Sequence, residues 1–321
     1  AIFTHDVIVR HLRIRPGDSK VGTSYNDRDA IKINGYNIIL DHISASWSID
    51  EIISIWDSHD VTVQWSIFSE ALQNNLHPKG RHSMGMLIRN NVKNLCVHHN
   101  IFVHNNERNP RVGGDISLYF ANNIIYNWGH YGSAISASGV AGRRGNVTLG
   151  PVSANIINNY YKKGPNSKGW AFRFGKLPDD SKVFLNGNIG LDRIKEYPFL
   201  SLTLVPPDAG IELQEANKSY NLVLEKAGAT VPIRDEIDKR IVSEVKNRTG
   251  KTIDSPIEVG GYPIYENGIP PLDTDSDGIP DDWENAHGLN PQDPTDGNKN
   301  RDKDGYTNVE EYLNELAGDN D

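Results

Sequence analysis

Seven short apolar runs recur along the first two thirds of the chain, and such a repeat restricts the fold more than any other feature of the sequence. The runs occupy residues 8–12, 39–43, 63–67, 97–101, 120–124, 156–160 and 185–189, with first residues 23 to 36 apart. That period is typical of solenoids. In each run a His, Ser or Asn precedes the last apolar residue: His11, His42, Ser66, Asn100, Asn123, Asn159 and Asn188. Equivalent positions in stacked coils lie about 4.8 Å apart, so these side chains can form a hydrogen-bonded ladder inside a turn. An all-β, right-handed parallel β-helix accounts for both period and ladder. A β-sandwich would need hairpin turns of the Asn-Gly type between the runs, and these are sparse.

After Gly190 the pattern changes. Residues 220–227 and 234–246 show apolar spacings of three and four (Ile237, Ile241, Val242, Val245), which predict amphipathic helices covering a core or an end of the solenoid. Residues 263–272, rich in Pro and Gly, read as a linker between a β-helix domain (1–262) and a tail (273–321). The tail holds 15 Asp+Glu against 3 Lys+Arg, a net of −12, which leaves residues 1–272 at +3 of the overall −9. A mildly basic body suits an acidic partner. Nucleic acid is disfavoured, because no Lys/Arg cluster with interleaved aromatics stands out. No stretch approaches the ~20 apolar residues of a membrane span. The single cysteine, Cys96, excludes an internal disulfide and reads as a buried thiol.

The tail spells out calcium loops. Asp273, Asp275, Asp277, Ile279, Asp281 and Glu284 fall at positions 1, 3, 5, 7, 9 and 12 of a twelve-residue loop, with Gly278 at the sharp turn. Asn300, Asp302, Asp304, Tyr306, Asn308 and Glu311 repeat the pattern, with Gly305 at the turn. Carboxylates this dense repel one another without a cation, so the tail is expected to fold with Ca²⁺, in an EF-hand-like module. It resembles the thrombospondin type 3-like or dockerin-like repeats of secreted proteins.

One further segment suggests a cationic site for an anionic polymer: Glu107-Arg108-Asn109-Pro110-Arg111, displayed on the stack of strands. With residues 29–31, 37–42, 60–65, 97–102 and 253–262 it resembles the pectate lyases of polysaccharide lyase family 1, over roughly residues 5–265 and with the motifs in order. Members of that family have further coils upstream of the segment at 6–14, so an N-terminal part is expected to be absent here. The closing segment at 253–262 resembles that of bacterial members. The enzyme is expected to be secreted and bacterial and to act on polygalacturonate or pectin; a monomer is expected, with dimerisation through an uncapped solenoid end left open.

The resemblance implies Ca²⁺ between acidic residues and a galacturonate carboxylate, with an arginine removing the C5 proton before β-elimination. Matched by motif, Asp29 and Asp50 fall on calcium ligands. Ser54 stands where an aspartate is frequent, with Glu51 as a compensating neighbour. The base falls on Arg108, with Arg111 toward substrate. A second substrate arginine falls on Gly113 and is missing. A lysine falls near Met84, where Lys79 or Arg81 can substitute, and His82 lies in the same substrate-binding segment. An arginine base needs a lowered pKa: neutralising it near pH 9 costs roughly 5 kcal/mol from a reference value of about 12.5. Ca²⁺ and Arg111 nearby are expected to reduce that cost, so activity should rise on the alkaline side. Trp47, Trp56 and Trp65 can serve equally as sugar platforms or as packing residues, while His98 and His99 read as stacking and core residues. Two alternatives remain open: a silent β-helix that only binds acidic polysaccharide, and a hydrolase. The hydrolase needs paired carboxylates, whereas adjacent Asp50 and Glu51 should diverge on a strand.

Overall fold

Among the described residues of this molecule, every strand pair is parallel. The computed structural model describes residues 1–21, 27–136, 150–192, 194–265 and 268–318, and divides into Ala1–Pro263 and Ile264–Asp321. In the first unit each coil adds strands beside those of the coil before. The first coil supplies β1 (His5–Arg10) and β2 (Arg13–Ile14), and the second β3 (Ile31–Ile33), β4 (Tyr36–Asp41) and β5 (Ser44–Ser46). Next come β6 (Glu51–Gln64) and β7 (Ile67–Ser69), β8 (Met84–His98) and β9 (Ile101–Val103), then β10 (Arg111–Ala121) and β11 (Ile124–Tyr126). The final coils carry β12 (Tyr131–Ile135), β13 (Val152–Ile157) and β14 (Tyr160–Lys162), then β15 (Trp170–Phe174), β16 (Lys182–Asn186) and β17 (Leu200–Ser201).

These strands form three faces of a parallel β-helix. The third face is β2-β5-β7-β9-β11-β14. The first two faces merge, because β6, β8 and β10 are long enough to serve both. The start of β6 pairs with β3 and its end with β4, and a register shift between Trp56 and Ser58 marks the bend. Strand alternation then sorts the side chains: Ile33, Ile55, Ile88, Val112 and Ile135 stack inward in one fully buried row. The second unit holds two helices of the tail, Asp281–His287 and Asn308–Ala317.

The asparagine ladder is present, with a corrected start. True register aligns Val9, Leu40, Val63, Val97, Phe120, Ile156 and Leu185. The ladder position in the first two coils is therefore Leu12 and Ile43, not His11 and His42. Its rungs are Ser66, Asn100, Asn123, Asn159 and Asn188, each backbone N–H donating to the next side-chain oxygen at 2.9–3.0 Å. His11 and His42 occupy the preceding turn position, which is left-handed in every coil (φ of 46–66° from His11 through His42, Trp65, His99, Asn122 and Asn158 to Gly187). There they stack outside: His11 on His42 at 4.8 Å and Trp65 on His99 at 4.3 Å.

The helices lie at Ala216–Lys226 (α1) and Glu236–Asn247 (α2). Val223, Leu224, Ile237, Ile241 and Val245 share an apolar cluster with Trp47, Ile67, Ile101 and Ile124, so the pair covers the outside of the third face. Trp47 is fully buried and donates its indole N–H to Glu70 at 2.9 Å, which makes it a packing residue. Arg15 bridges to Asp235 at 2.7 Å, at the N-cap of α2, and ties that helix to the first coil.

Candidate active site

Three carboxylates from neighbouring coils meet at the edge of the first face. Asp29 precedes β3, Asp50 precedes β6 and Glu51 opens it, and one oxygen from each lies within 4.8 Å of the others. The expectation that Asp50 and Glu51 diverge fails, because Asp50 precedes the regular strand and escapes its alternation. Two like charges at that separation repel by about 3 kcal/mol at an effective dielectric of 20. The site responds by sharing out its charge. Burial, then Glu51 and Asp50, hold the Asp29 carboxyl well above its usual range. Burial and Glu51 push Asp50 up to about 8. Glu51 stays low despite burial, because Arg108 neutralises it.

Arg108 immediately precedes the Asn109–Pro110 turn that leads into β10, and it contacts the Glu51 carboxylate directly. Its own backbone is left-handed, with φ of 65°, an uncommon conformation for a residue with a long side chain. Burial pulls the guanidinium pKa down, but Glu51, Tyr131, Glu107 and Asp50 together raise it. These carboxylates act against the lowering expected from Ca²⁺ and Arg111. The contact is with Glu51, across coils, and not with the adjacent Glu107.

His82 is buried and meets Asp50 through Nε2 at 2.6 Å, which places its ring behind the carboxylate instead of on the open surface. His77, which the sequence reading passed over, stacks on His82 at 3.9 Å with its Nε2 3.7 Å from Asp50. Burial lowers both imidazoles to about 4, so both are neutral near pH 7. Their rings are nearly parallel, 6° apart, and one ligand atom from each of Asp50, His77 and His82 lies within 4.8 Å of the others. Lys79 is exposed and close enough to Asp50 to hold its pKa down in part, whereas Arg81 donates to Gln73 at 3.0 Å.

Outward of this cluster runs a row fixed by strand register: Lys32, Ser54, Leu87, Arg111, Ala134 and Arg173. Arg111 and Arg173 stand two strands apart, about 10 Å. Arg173 lies over the buried Tyr131 ring at 3.8 Å and has no carboxylate partner among the described residues. Gly113, where a substrate arginine was missing, pairs with Arg89, whose guanidinium lies over Trp56 at 5.6 Å. Sequence reasoning missed Arg89 and Arg173 because only the coil-to-coil register brings them beside Arg111.

In the second unit the two loops repeat one hydrogen-bond scheme. Asp273 accepts from Ser276 N–H at 2.7 Å and Asp277 from Ile279 N–H at 2.9 Å. Asn300 accepts from Lys303 N–H at 2.5 Å, Asp302 from Asp304 N–H at 3.3 Å and Asp304 from Tyr306 N–H at 2.8 Å. Gly278 and Gly305, at φ of 99° and 112°, make the turns. Asp273, Asp275 and Asp277 bring oxygens within 4.8 Å of one another. Asp281 and Asn308 instead turn to the loop backbone, accepting from Thr274 N–H at 2.8 Å and Arg301 N–H at 3.3 Å. Glu284 is buried, while Glu311 pairs with Arg301 at 2.8 Å.

The architecture places the chain among parallel β-helix proteins. No family model matches the sequence. The proteins named Probable pectate lyase C in Aspergillus flavus and Aspergillus oryzae are each 33% identical over 338 residues, covering 97% of this chain and 72% of each relative. That of Aspergillus terreus is 32% identical over 339 residues, with the same coverage. A solved pectate lyase of Bacillus sp. N165, in complex with trigalacturonate, aligns with a TM-score of 0.46 at 16% identity, over 70% of this chain and 68% of that one. The chain belongs to the pectate lyase family. Its curated relatives are fungal, which corrects the expectation of bacterial kinship.

Proposed function

We propose that this chain is a secreted, calcium-dependent lyase that cleaves polygalacturonate by β-elimination, with Arg108 as the base. The observation that carries the reading is the Arg108 guanidinium lodged against Glu51, one of three clustered carboxylates that it cannot fully neutralise. Asp29 Oδ1 is buried without a hydrogen-bond partner, and an all-oxygen donor set of this kind suits a hard divalent cation. Asp29, Asp50 and Glu51 would hold Ca²⁺, which supplies positive charge against a uronate carboxylate and so favours ionisation at C5. The protein's own groups account for the remaining steps. Arg108, freed from Glu51, takes the C5 proton. The electron pair forms the C4–C5 double bond, the C4–O bond breaks, and the departing sugar oxygen gains a proton from water.

His82 and His77, neutral and packed behind Asp50, act as positioning residues for that carboxylate. Lys79 and Arg81 lie at the mouth toward the polymer. Arg111, Arg89 and Arg173 offer cations to successive uronate carboxylates and offset the arginine missing at Gly113. Residues 1–262 form the lyase domain, 263–272 a linker and 273–321 a calcium module that stabilises the secreted protein. The unit is read as a monomer.

The test is ultraviolet absorbance of the unsaturated product from polygalacturonate, with Ca²⁺ and with chelator, for the wild type and Arg108→Ala. Signal that requires Ca²⁺ and disappears in the variant supports the reading. A flat wild-type trace, with polymer still retained on the folded protein, would favour a silent binding module.

A further inference from the structure

Asp296 belongs to neither calcium motif, yet its side chain reaches the first loop. Oxygens of Asp277, Glu284 and Asp296 all lie within 4.8 Å of one another. Glu284 has no solvent exposure, and neither of its carboxylate oxygens has a hydrogen-bond partner. Asp296 is 6% exposed, and its Oδ1 is likewise unpartnered, as are Oδ2 of Asp275 and Oδ2 of Asp277. Buried carboxylate oxygens without donors are costly, and several pointing at one place call for a cation.

The loop's own ninth position does not fill this role. Both oxygens of Asp281 accept from Thr274, from its N–H at 2.8 Å and its hydroxyl at 2.7 Å. Asp296 is held with comparable firmness in the opposite sense. Its Oδ2 accepts from Asn290 N–H at 2.9 Å and its carbonyl from the Asn308 side chain at 2.7 Å, which leaves Oδ1 directed at Glu284 and Asp277. The neighbouring Gly297 permits this approach, since a Cβ there would sit 2.3 Å from Asp277 Oδ2.

We propose that Asp296 replaces Asp281 as a ligand of the first loop's Ca²⁺, so that one ion ties the helix Asp281–His287 to the turn leading into the helix Asn308–Ala317. The inference rests on the calcium reading of this module, and it makes the two loops one cooperative unit. Asn308, buried between them, links the ion's ligand Asp296 to the second loop through its two hydrogen bonds.

The experiment is calorimetric titration of the chelator-stripped full chain with Ca²⁺, comparing Asp296→Asn, Asp281→Asn and Glu284→Gln. The amide of Asp296→Asn still accepts from Asn290, so folding is preserved, and the β-helix site serves as an internal standard. Asp296→Asn and Glu284→Gln should each weaken one site tenfold or more, because ligand charge sets affinity, while Asp281→Asn should shift it less than about threefold. Weakening by Asp281→Asn with Asp296→Asn unchanged would overturn the assignment but keep the loop's ion. If Glu284→Gln leaves all binding unchanged, the calcium reading of the loop falls, and the role of Asp296 with it.

Discussion

Asn123→Ala tests the ladder that holds the coils in register. Asn123 is fully buried, and its side chain makes four hydrogen bonds. Its oxygen accepts from the backbone and side-chain N–H groups of Asn100, both at 3.0 Å. Its amide donates to the Val97 carbonyl at 2.9 Å and to Asn159 at 3.0 Å. Three of the partners retain other bonds: Asn100 Nδ2 to Val63 and His98, Asn159 to the Asn123 backbone, and Val97 through the strand ladder. The Asn100 backbone N–H loses its acceptor outright. At about 1 kcal/mol for each bond lost, with the orphaned donor at the upper end of the usual range, the variant should lose about 4 kcal/mol. Asn188, the last rung, is half-buried, so water can replace its partners and Asn188→Ala should cost roughly 1–2 kcal/mol. Urea unfolding followed by far-ultraviolet circular dichroism measures both as midpoint shifts at constant slope. A loss below about 1 kcal/mol for Asn123→Ala, or equal losses at the two rungs, would refute the argument that burial gives the ladder its strength.

Further expectations follow from the site and its surroundings. Arg108→Ala should lower kcat on polygalacturonate by about 10²–10⁴-fold with little change in KM, the range for a general base, as read in steady-state kinetics. Arg173→Ala should instead raise KM several-fold and spare kcat; a fall in kcat alone would remove Arg173 from the binding row. Asp41 is expected to govern acid stability. Burial raises its carboxyl pKa, but the His42 hydrogen bond and charge, with Gln64 and Arg10, bring it down to about 2, against 3.8 for the free group. A depressed carboxylate stabilises the fold above the unfolded value and loses that contribution as pH falls toward 2. Asp41→Asn should therefore be less stable by about 2 kcal/mol at neutral pH, with the gap closing in acid denaturation curves between pH 4 and pH 2, roughly the two pKa values. Chelator should lower the thermal midpoint of the tail, followed by Trp283 fluorescence in a chain with the other tryptophans replaced by Phe; an unchanged midpoint would argue against a bound ion there.

The repeat was legible because each coil carries a similar apolar run, and parallel stacking converts that period directly into register. The first two coils were misaligned by one residue for a local reason. Ile8 and Val9, like Ile39 and Leu40, are both apolar, so alternation could not distinguish inward from outward, and a one-residue slip moved His11 and His42 from the turn onto the ladder. Arg108 came from a short motif and Glu51 as the neighbour that compensates for Ser54, but their mutual contact spans two coils and has no sequence signature. The approach of Asp296 to the first loop and the place of Arg173 beside Arg111 were missed because each joins residues distant in sequence. Conversely, Asp281 matches its motif in spacing, yet Thr274 offers its carboxylate two donors, a contact that the spacing alone does not show.

On the proposed function, the geometry around Glu51 would link metal binding to the readiness of the base. Glu51 cannot give its charge fully to both Arg108 and a cation. While it faces Arg108, the guanidinium is held protonated by the carboxylates around it, and it is a poor base. A cation engaging Asp29, Asp50 and Glu51 would remove that stabilisation and place a like charge nearby, both of which lower the Arg108 pKa. The same event would offset the burial, and relieve the repulsion, that together keep Asp29 and Asp50 high. On the proposed function, a cation site and a proton-accepting arginine sharing one carboxylate would act as a single device. Calcium dependence and an alkaline rise in activity would then have one origin, the change of partner at Glu51.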